Sequence, residues 1–233
     1  MDRENPAQTT KQVLFGEFAR LAKAHANPIR LELIDLLSQA PRTVEVLAEM
    51  IAQSVAATSH HLRSLLNARL VVAEKQGLYV TYQLADQDVA EFWVALQDMA
   101  QHHLADVHRL AADYLGITEE DKVIDRTTLM ARMRRGEVTL IDVRPWEEFA
   151  TGHIPGAVSV PLDYLERMVY SLPVDQEIVV CSRGPFCILS RKAVELLRRH
   201  DLRAVPLSDG IPQWRAAGLP VKMETEGASP EIG

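Results

Sequence analysis

Within one loop the chain changes its folding pattern completely, and that change constrains the fold more than any other feature. Ile178-Val179-Val180 is an apolar, β-branched run closed by Cys181, and the turn-forming stretch Ser182-Arg183-Gly184-Pro185-Phe186-Cys187 follows. From Ile188 the apolar residues Leu189, Ala193, Leu196 and Leu197 return at helical spacing. The pattern requires a strand, a tight loop and a helix, with a thiol at the turn. Backbone N–H groups in such a loop can converge on the sulfur, and the following helix adds the positive end of its dipole. A thiolate is thereby favoured and reactive. The competing reading is a buried structural thiol, because free cysteine behaves as a small hydrophobe.

Two further blocks give the loop its context. Upstream lie Leu140-Ile141-Asp142-Val143-Arg144-Pro145-Trp146-Glu147-Glu148-Phe149, Gly152-His153-Ile154-Pro155-Gly156-Ala157 and the strand-like Val158-Ser159-Val160-Pro161. Downstream lie Asp209-Gly210, Trp214 and Gly218-Leu219-Pro220-Val221. Together these blocks resemble a rhodanese domain, the sulfurtransferase module in which a loop cysteine becomes a persulfide, over residues 122–224. The resemblance implies an α/β fold around a central, mostly parallel sheet. It also implies that Cys181 is the persulfide-forming nucleophile and that Gly184 lets the loop curl around it. Asp142, Arg144, Glu148 and His153 match the first signature block and read as scaffold, a strand-end carboxylate and a cation that fix the neighbouring loop. Trp214 reads as core packing.

The sequence departs from that family at two loop positions. Phe186 stands where many sulfurtransferases carry a cation that recruits anionic donors such as thiosulfate, so Arg183 is left as the loop cation. Cys187 replaces the serine or similar residue usual at the loop's end. Ser182, Arg183, Gly184, Pro185 and Phe186 then form the sulfur- or anion-binding loop, with Cys181 and Cys187 as its catalytic or exchanging thiols. Such a pair can pass sulfur or close a disulfide if the Cα atoms lie within about 7 Å. Alternatively, Cys187 packs under the helix. A phosphatase or arsenate-reductase loop would need an arginine at its end, and Cys187 with Val180 argues against both.

The first half has a different logic. Asn27 before Pro28 marks a helix start, followed by Ile29, Leu31, Leu33, Ile34, Leu36 and Leu37. Thr43 can cap a second helix through Val44, Leu47, Ala48 and Ile51, and a third begins near Val55 with Leu62, Leu65 and Leu66 on one face. Residues 70–84 then read as two strands around a Gln76-Gly77 turn. This mainly α pattern, with Ala26-Asn27-Pro28-Ile29-Arg30-Leu31 and Ser59-His60-His61-Leu62-Arg63, resembles the winged helix-turn-helix domain of ArsR-family bacterial repressors over residues 12–115.

That resemblance implies a partner and an interface. The second helix of the pair would enter the major groove of double-stranded DNA, so Ser54, Ala56, Thr58, Ser59, His60 and Arg63 are the expected contacts, with Lys75 and Gln76 in the wing. The competing reading is a solvated helix face, and His61 reads as packing beside the helix. Val89, Phe92, Trp93, Leu96, Met99, Ala100, His103, Val107, Leu110 and Tyr114 mark one apolar face of a single helix roughly 40 Å long. A lone face of that length calls for a partner helix, hence a homodimer on a palindromic operator.

ArsR relatives often bind metals, which makes the metal question specific. The third-helix stretch Thr43-Val44-Glu45-Val46-Leu47-Ala48 holds no thiol. Asp98, His102 and Asp106 fall at i, i+4 spacing and could contribute ligands with a partner subunit, or form a solvated polar face. No metal site and no cofactor are expected.

Composition sets the outer limits. A net charge of −7 over 233 residues gives no general attraction to nucleic acid, so DNA contact must come from local arrangement. Two cysteines are too few for a disulfide framework, and the polar residues 1–11 form no signal peptide, so a cytoplasmic setting is expected. Residues 1–11 and 225–233 read as flexible, with a linker at 116–121. The expected whole is a dimeric transcriptional regulator that senses reactive sulfur or an oxidant effector through Cys181, with Cys187 as partner. The alternatives are a thiosulfate or polysulfide sulfurtransferase and a metal- or arsenic-responsive repressor.

Overall fold

Asn27 opens α2 (Pro28–Leu37) as its side-chain Oδ1 accepts from the Arg30 N–H at 3.1 Å, with Pro28 in the first helical turn. Thr43 caps α3 (Val44–Met50) in the same way at 3.5 Å, and Ser54 caps α4 (Val55–Asn67) at 3.2 Å. The computed structural model in which these contacts are seen describes residues 6–77, 79–116 and 121–224, apart from the side chains of residues 6–8 and Gln76. Leu78, residues 1–5, the linker residues 117–120 and the tail 225–233 lie outside the described residues. The chain divides into two units, Met1–Trp93 and Val94–Gly233.

In the first unit, α1 (Pro6–His25) precedes α2, and residues 6–11 are already helical where flexibility was expected. Proline near a helix start is preorganised, which accounts for the early beginning. Strand β1 (Arg42–Thr43), which sequence reading missed, pairs antiparallel with β3 (Tyr79–Leu84), and β3 pairs with β2 (Val71–Gln76). The core gathers Leu33, Ile34 and Leu37 from α2, Leu47 from α3, and Leu62 and Leu65 from α4. Burial of these aliphatic side chains is the main source of the unit's stability, at about 1.5–3 kcal/mol each.

The expected single long helix is two. Helix α5 (Gln87–His103) stops, Leu104 adopts an extended backbone (φ −108°, ψ 99°), and α6 (Ala105–Leu115) restarts. The extended residue interrupts the helical ladder, so the i, i+4 face of Asp98, His102 and Asp106 is not continuous. Asp106 instead pairs with Arg109 at 3.0 Å. Gly116, with φ +63°, ends α6 as a left-handed cap.

The second unit is a parallel sheet with helices on both faces. Its strands run β5 (Val158–Ser159), β4 (Val138–Asp142), β6 (Glu177–Ser182), β7 (Ala204–Gly210), all parallel. Helices α7 (Arg126–Arg134) and α11 (Ile211–Ala216) contribute Leu129, Ile211 and Trp214 to one core. Helices α9 (Leu162–Met168) and α10 (Ile188–Arg199), with the 3-10 turn Val169–Ser171, contribute Leu165, Val169, Ala193, Val194 and Leu197 to the other. The short α8 (Trp146–Thr151) follows β4. Strand alternation sends Ile178 and Val180 to the α10 side and Val179 and Cys181 to the α11 side.

Candidate functional site

Alternation along β6 decides the environment of Cys181. Its side chain is fully buried among Leu129, Val179, Leu207, Ile211 and Trp214. Among the described residues its sulfur makes one hydrogen bond, donating to the Ser182 carbonyl at 3.7 Å, and it receives none from a loop N–H. Burial pushes the thiol well above the ordinary range, and the nearby Asp142 carboxylate adds to the effect against the opposing pull of Arg144. The expected thiolate is therefore corrected: Cys181 is held protonated in an apolar core, because the side chain leaves the strand on the face away from the loop's helix.

Cys187 has the opposite surroundings. It is the N-cap residue of α10, half-buried, with its N–H donated to Gly184 O at 3.1 Å and no side-chain cap bond. Its thiol stands at the positive end of a twelve-residue helix. Between the two thiols, Ser182 is buried, while Arg183, Gly184, Pro185 and Phe186 are partly exposed. Gly184 has φ +153°, a conformation that disfavours any side chain. A Cβ on Gly210 would lie 2.1 Å from the Arg183 carbonyl oxygen, so β7 touches the loop backbone to backbone.

A buried ionic frame holds the loop. Asp142 and Arg144 are both inaccessible to solvent, with Arg144 Nη2 donating to Asp142 Oδ2 at 2.7 Å and to Gly152 O at 2.7 Å. Arg183 forks onto the fully buried Glu148, Nε to both oxygens at 3.0 Å and Nη2 to Oε1 at 2.7 Å. The loop's expected anion-recruiting cation is therefore already committed to a carboxylate. His153 stacks on Phe149 at 3.8 Å between ring centroids, with its Nδ1 beside Phe149 O at 3.0 Å.

Sequence reading missed Gln213, Gln97 and Arg126. Gln213, buried on α11, accepts from Gly210 N–H at 3.0 Å through Oε1 and donates through Nε2 to Gln97 Oε1 on α5 at 2.9 Å. The same Oε1 is what a Cβ on Gly184 would meet, at 3.2 Å. Asp209, paired with Arg126 at 2.8 Å, has its pKa raised by burial against the pull of that arginine. Gln213 stands between the apolar Pro212 and Trp214, and nothing in that stretch announces its partner.

In the helix-turn-helix, Ala56, His60 and Arg63 are exposed at i, i+4 and i+7 spacing on α4, and Ser59 is half-buried beside them. Thr58 is corrected: it is fully buried, with Oγ1 donating to Ser54 O at 3.0 Å, because it shares a face with Leu62 and Leu65. Ser54 is exposed but has its Oγ engaged as the helix cap. Lys75 is exposed on the wing, and the side chain of Gln76 lies outside the described residues. His61 is half-buried, and burial, then Arg30 and His60, lower its pKa.

A winged helix-turn-helix that presents one polar stripe of its second helix, carried on the same chain as a parallel α/β domain with a cysteine loop, defines a DNA-binding regulator with a rhodanese-like module. The "Bacterial regulatory protein, arsR family" model matches residues 27–72 and the "Rhodanese-like domain" model residues 125–217. The chain is 41% identical over 211 residues, 91% of its own length and 92% of the other's, to the HTH-type transcriptional regulator Rv0324 of Mycobacterium tuberculosis. It belongs to the ArsR family of bacterial transcriptional regulators and carries a C-terminal rhodanese-like domain. It is also 30% identical over 100 residues, 42% of this chain and 92% of the other, to a sulfurtransferase of Allochromatium vinosum. A homodimeric winged helix-turn-helix DNA-binding domain of Mycobacterium bovis, Mb0332, is 33% identical, with 46% of this chain and 95% of that one covered and a TM-score of 0.41.

Proposed function

We propose that this regulator binds duplex DNA as a homodimer and that its rhodanese-like domain senses reactive sulfur or an oxidant through the thiols that flank the 182–186 loop. The observation that carries the sensing half is the contrast between the chain's two cysteines: Cys181 is sealed in the core and Cys187 is accessible at the start of α10. Access makes Cys187 the thiol that meets the effector, and Cys181 a resolving partner within electrostatic range of it. A polysulfide would leave one sulfane sulfur on Cys187 and depart one sulfur shorter. Attack of Cys181 on the Cys187 Sγ, with its thiol proton passing to the departing sulfur, would then close a disulfide and release hydrogen sulfide.

The DNA contacts proposed for α4 are Ala56, Ser59, His60 and Arg63, with Lys75 and Gln76 of the wing touching phosphate or minor groove. A second copy of the chain is the proposed cover for the apolar residues Leu14, Phe18 and Leu21, exposed at i, i+4 and i+7 on α1, and for Leu110 and Tyr114, exposed one turn apart on α6. A titration of labelled duplex with and without polysulfide tests the whole reading: effector must change the affinity, and an unchanged affinity removes the sensing half.

A further inference from the structure

The loop has an unassigned cavity beside it. Arg183 borders a space of about 650 Å³ enclosed mainly by Trp146, Phe149, Tyr164, Met168 and Leu189, from α8, α9 and α10. That volume falls in the range of about 300–1,000 Å³ that suits a small organic molecule, and far exceeds what an inorganic sulfur anion fills. The walls are aromatic and aliphatic, and Trp146 and Phe149 stack at 5.4 Å between centroids.

The charges around the cavity select further. Glu147, Asp163 and Glu224 line it against the single guanidinium of Arg183, and Arg183 is already forked onto the buried Glu148. Glu224 has a counter-charge in Lys222 at 3.1 Å, whereas Glu147 and Asp163 are exposed in the first turns of α8 and α9. Among the described residues, an anion entering here meets a like-charged rim, and the one lining cation is committed to Glu148. Ser159 also lines the space, and its Oγ is out of contact with solvent and has no hydrogen-bond partner among the described residues. A rotation about its χ1 would present that hydroxyl to a ligand amide or hydroxyl.

We infer that this cavity seats the effector, and that the effector is an uncharged organosulfur molecule with an apolar body. The inference rests on reading the rhodanese-like domain as the sensing half and narrows the class of what it senses. An apolar body fills the aromatic walls, the uncharged head lies by Ser159, and sulfur is carried to the edge of the loop that bears Cys187.

The test uses the full chain and three probes in calorimetric titrations: 2-(benzylsulfanyl)acetamide, its carboxylate analogue (benzylsulfanyl)acetate, and thiosulfate. Thioethers do not exchange with thiols, so the signal is binding alone. The amide should bind at least tenfold more tightly than the carboxylate, and thiosulfate should neither bind nor compete. Val158→Trp, at a half-exposed position of the wall, should abolish amide binding, with retention of fold followed by circular dichroism. Glu147→Arg with Asp163→Arg, both on the surface, should shrink the preference for the amide by about tenfold and needs no change in the core. Equal affinity for amide and carboxylate, or an unchanged preference in the charge-reversed variant, overturns the inference. If no probe binds while polysulfide still alters DNA affinity, this inference falls and the sensing reading stands. If the amide binds as described while neither polysulfide nor the uncharged dibenzyl trisulfide changes DNA affinity, the ligand class of the cavity holds and the sensing reading falls.

Discussion

Arg183 and Glu148 meet across 35 residues of chain in a two-pronged ion pair, closed at 2.7 Å by Nη2 and Oε1. Glu148 is fully buried and the Arg183 side chain retains 19% of its exposure, so the loop backbone at residue 183 is anchored to α8. The guanidinium that a sulfurtransferase loop would direct at an incoming anion is spent inward. Cyanide-dependent thiocyanate formation from thiosulfate should therefore be slow. Glu148→Gln should release the guanidinium and lower the KM for thiosulfate, while lowering stability by about 3 kcal/mol, the low end for a broken buried pair because Arg183 is partly solvated. Ordinary sulfurtransferase turnover in the unaltered chain would support the enzyme reading instead.

The two thiols should differ in rate. Iodoacetamide at neutral pH should label Cys187 first in the folded chain, and Cys181 only on unfolding, because the reagent reaches one and not the other. Peptide mass spectrometry after short exposure reads the order. Comparable labelling of Cys181 would show that the core around Trp214 opens readily.

Burial of Cys181 also has a sign in stability. Its folded pKa is raised, so as pH rises through the ordinary thiol range the unfolded chain loses this proton before the folded chain does. The unfolded state then binds fewer protons, and stability contributed below that range is lost as pH climbs toward the folded value. Urea denaturation from neutral to alkaline pH should show a steeper decline for the unaltered protein than for Cys181→Ala. Parallel declines would mean that the thiol ionises alike in both states.

On the DNA side, Arg63 and Thr58 separate contact from support. Arg63→Ala should weaken duplex binding uniformly across sequences and reduce the salt slope by about one. Thr58→Val removes a hydroxyl bonded to Ser54 O inside the core, so it should lower the melting temperature and leave the salt slope intact. A changed slope in Thr58→Val with an unchanged one in Arg63→Ala would exchange their roles.

What was legible in the sequence was local. Asn27-Pro28, Thr43 and Ser54 announce helix starts because capping is decided by a side chain three residues from the N–H it accepts. The strand-loop-helix at 177–199 was legible for the same reason, since β-branched runs and turn residues are short-range signals. The environment of Cys181 was not, because a strand one register earlier or later sends the same residue to the opposite face. Nor was the burial of Thr58, a polar residue whose hydroxyl is satisfied by the preceding turn. The Arg183–Glu148 and Gln213–Gln97 pairs join residues 35 and 116 apart, and no local pattern encodes such partners. The break at Leu104 has neither glycine nor proline to announce it between residues 87 and 115.

The measurement that bears most directly on the regulator's proposed mechanism is fluorescence anisotropy of a duplex that the protein itself selects from a random-sequence pool, titrated with reduced protein and again after polysulfide treatment. The unaltered chain should change its DNA affinity at least tenfold on treatment, reversibly with reductant, which corresponds to a coupling of about 1.4 kcal/mol. Cys187→Ser should bind like the reduced chain and ignore polysulfide, and Cys181→Ser should ignore it only if the signal is a bridge between the two sulfurs. A Cys187→Ser chain that keeps the full response would contradict the assignment and place the sensor away from this loop.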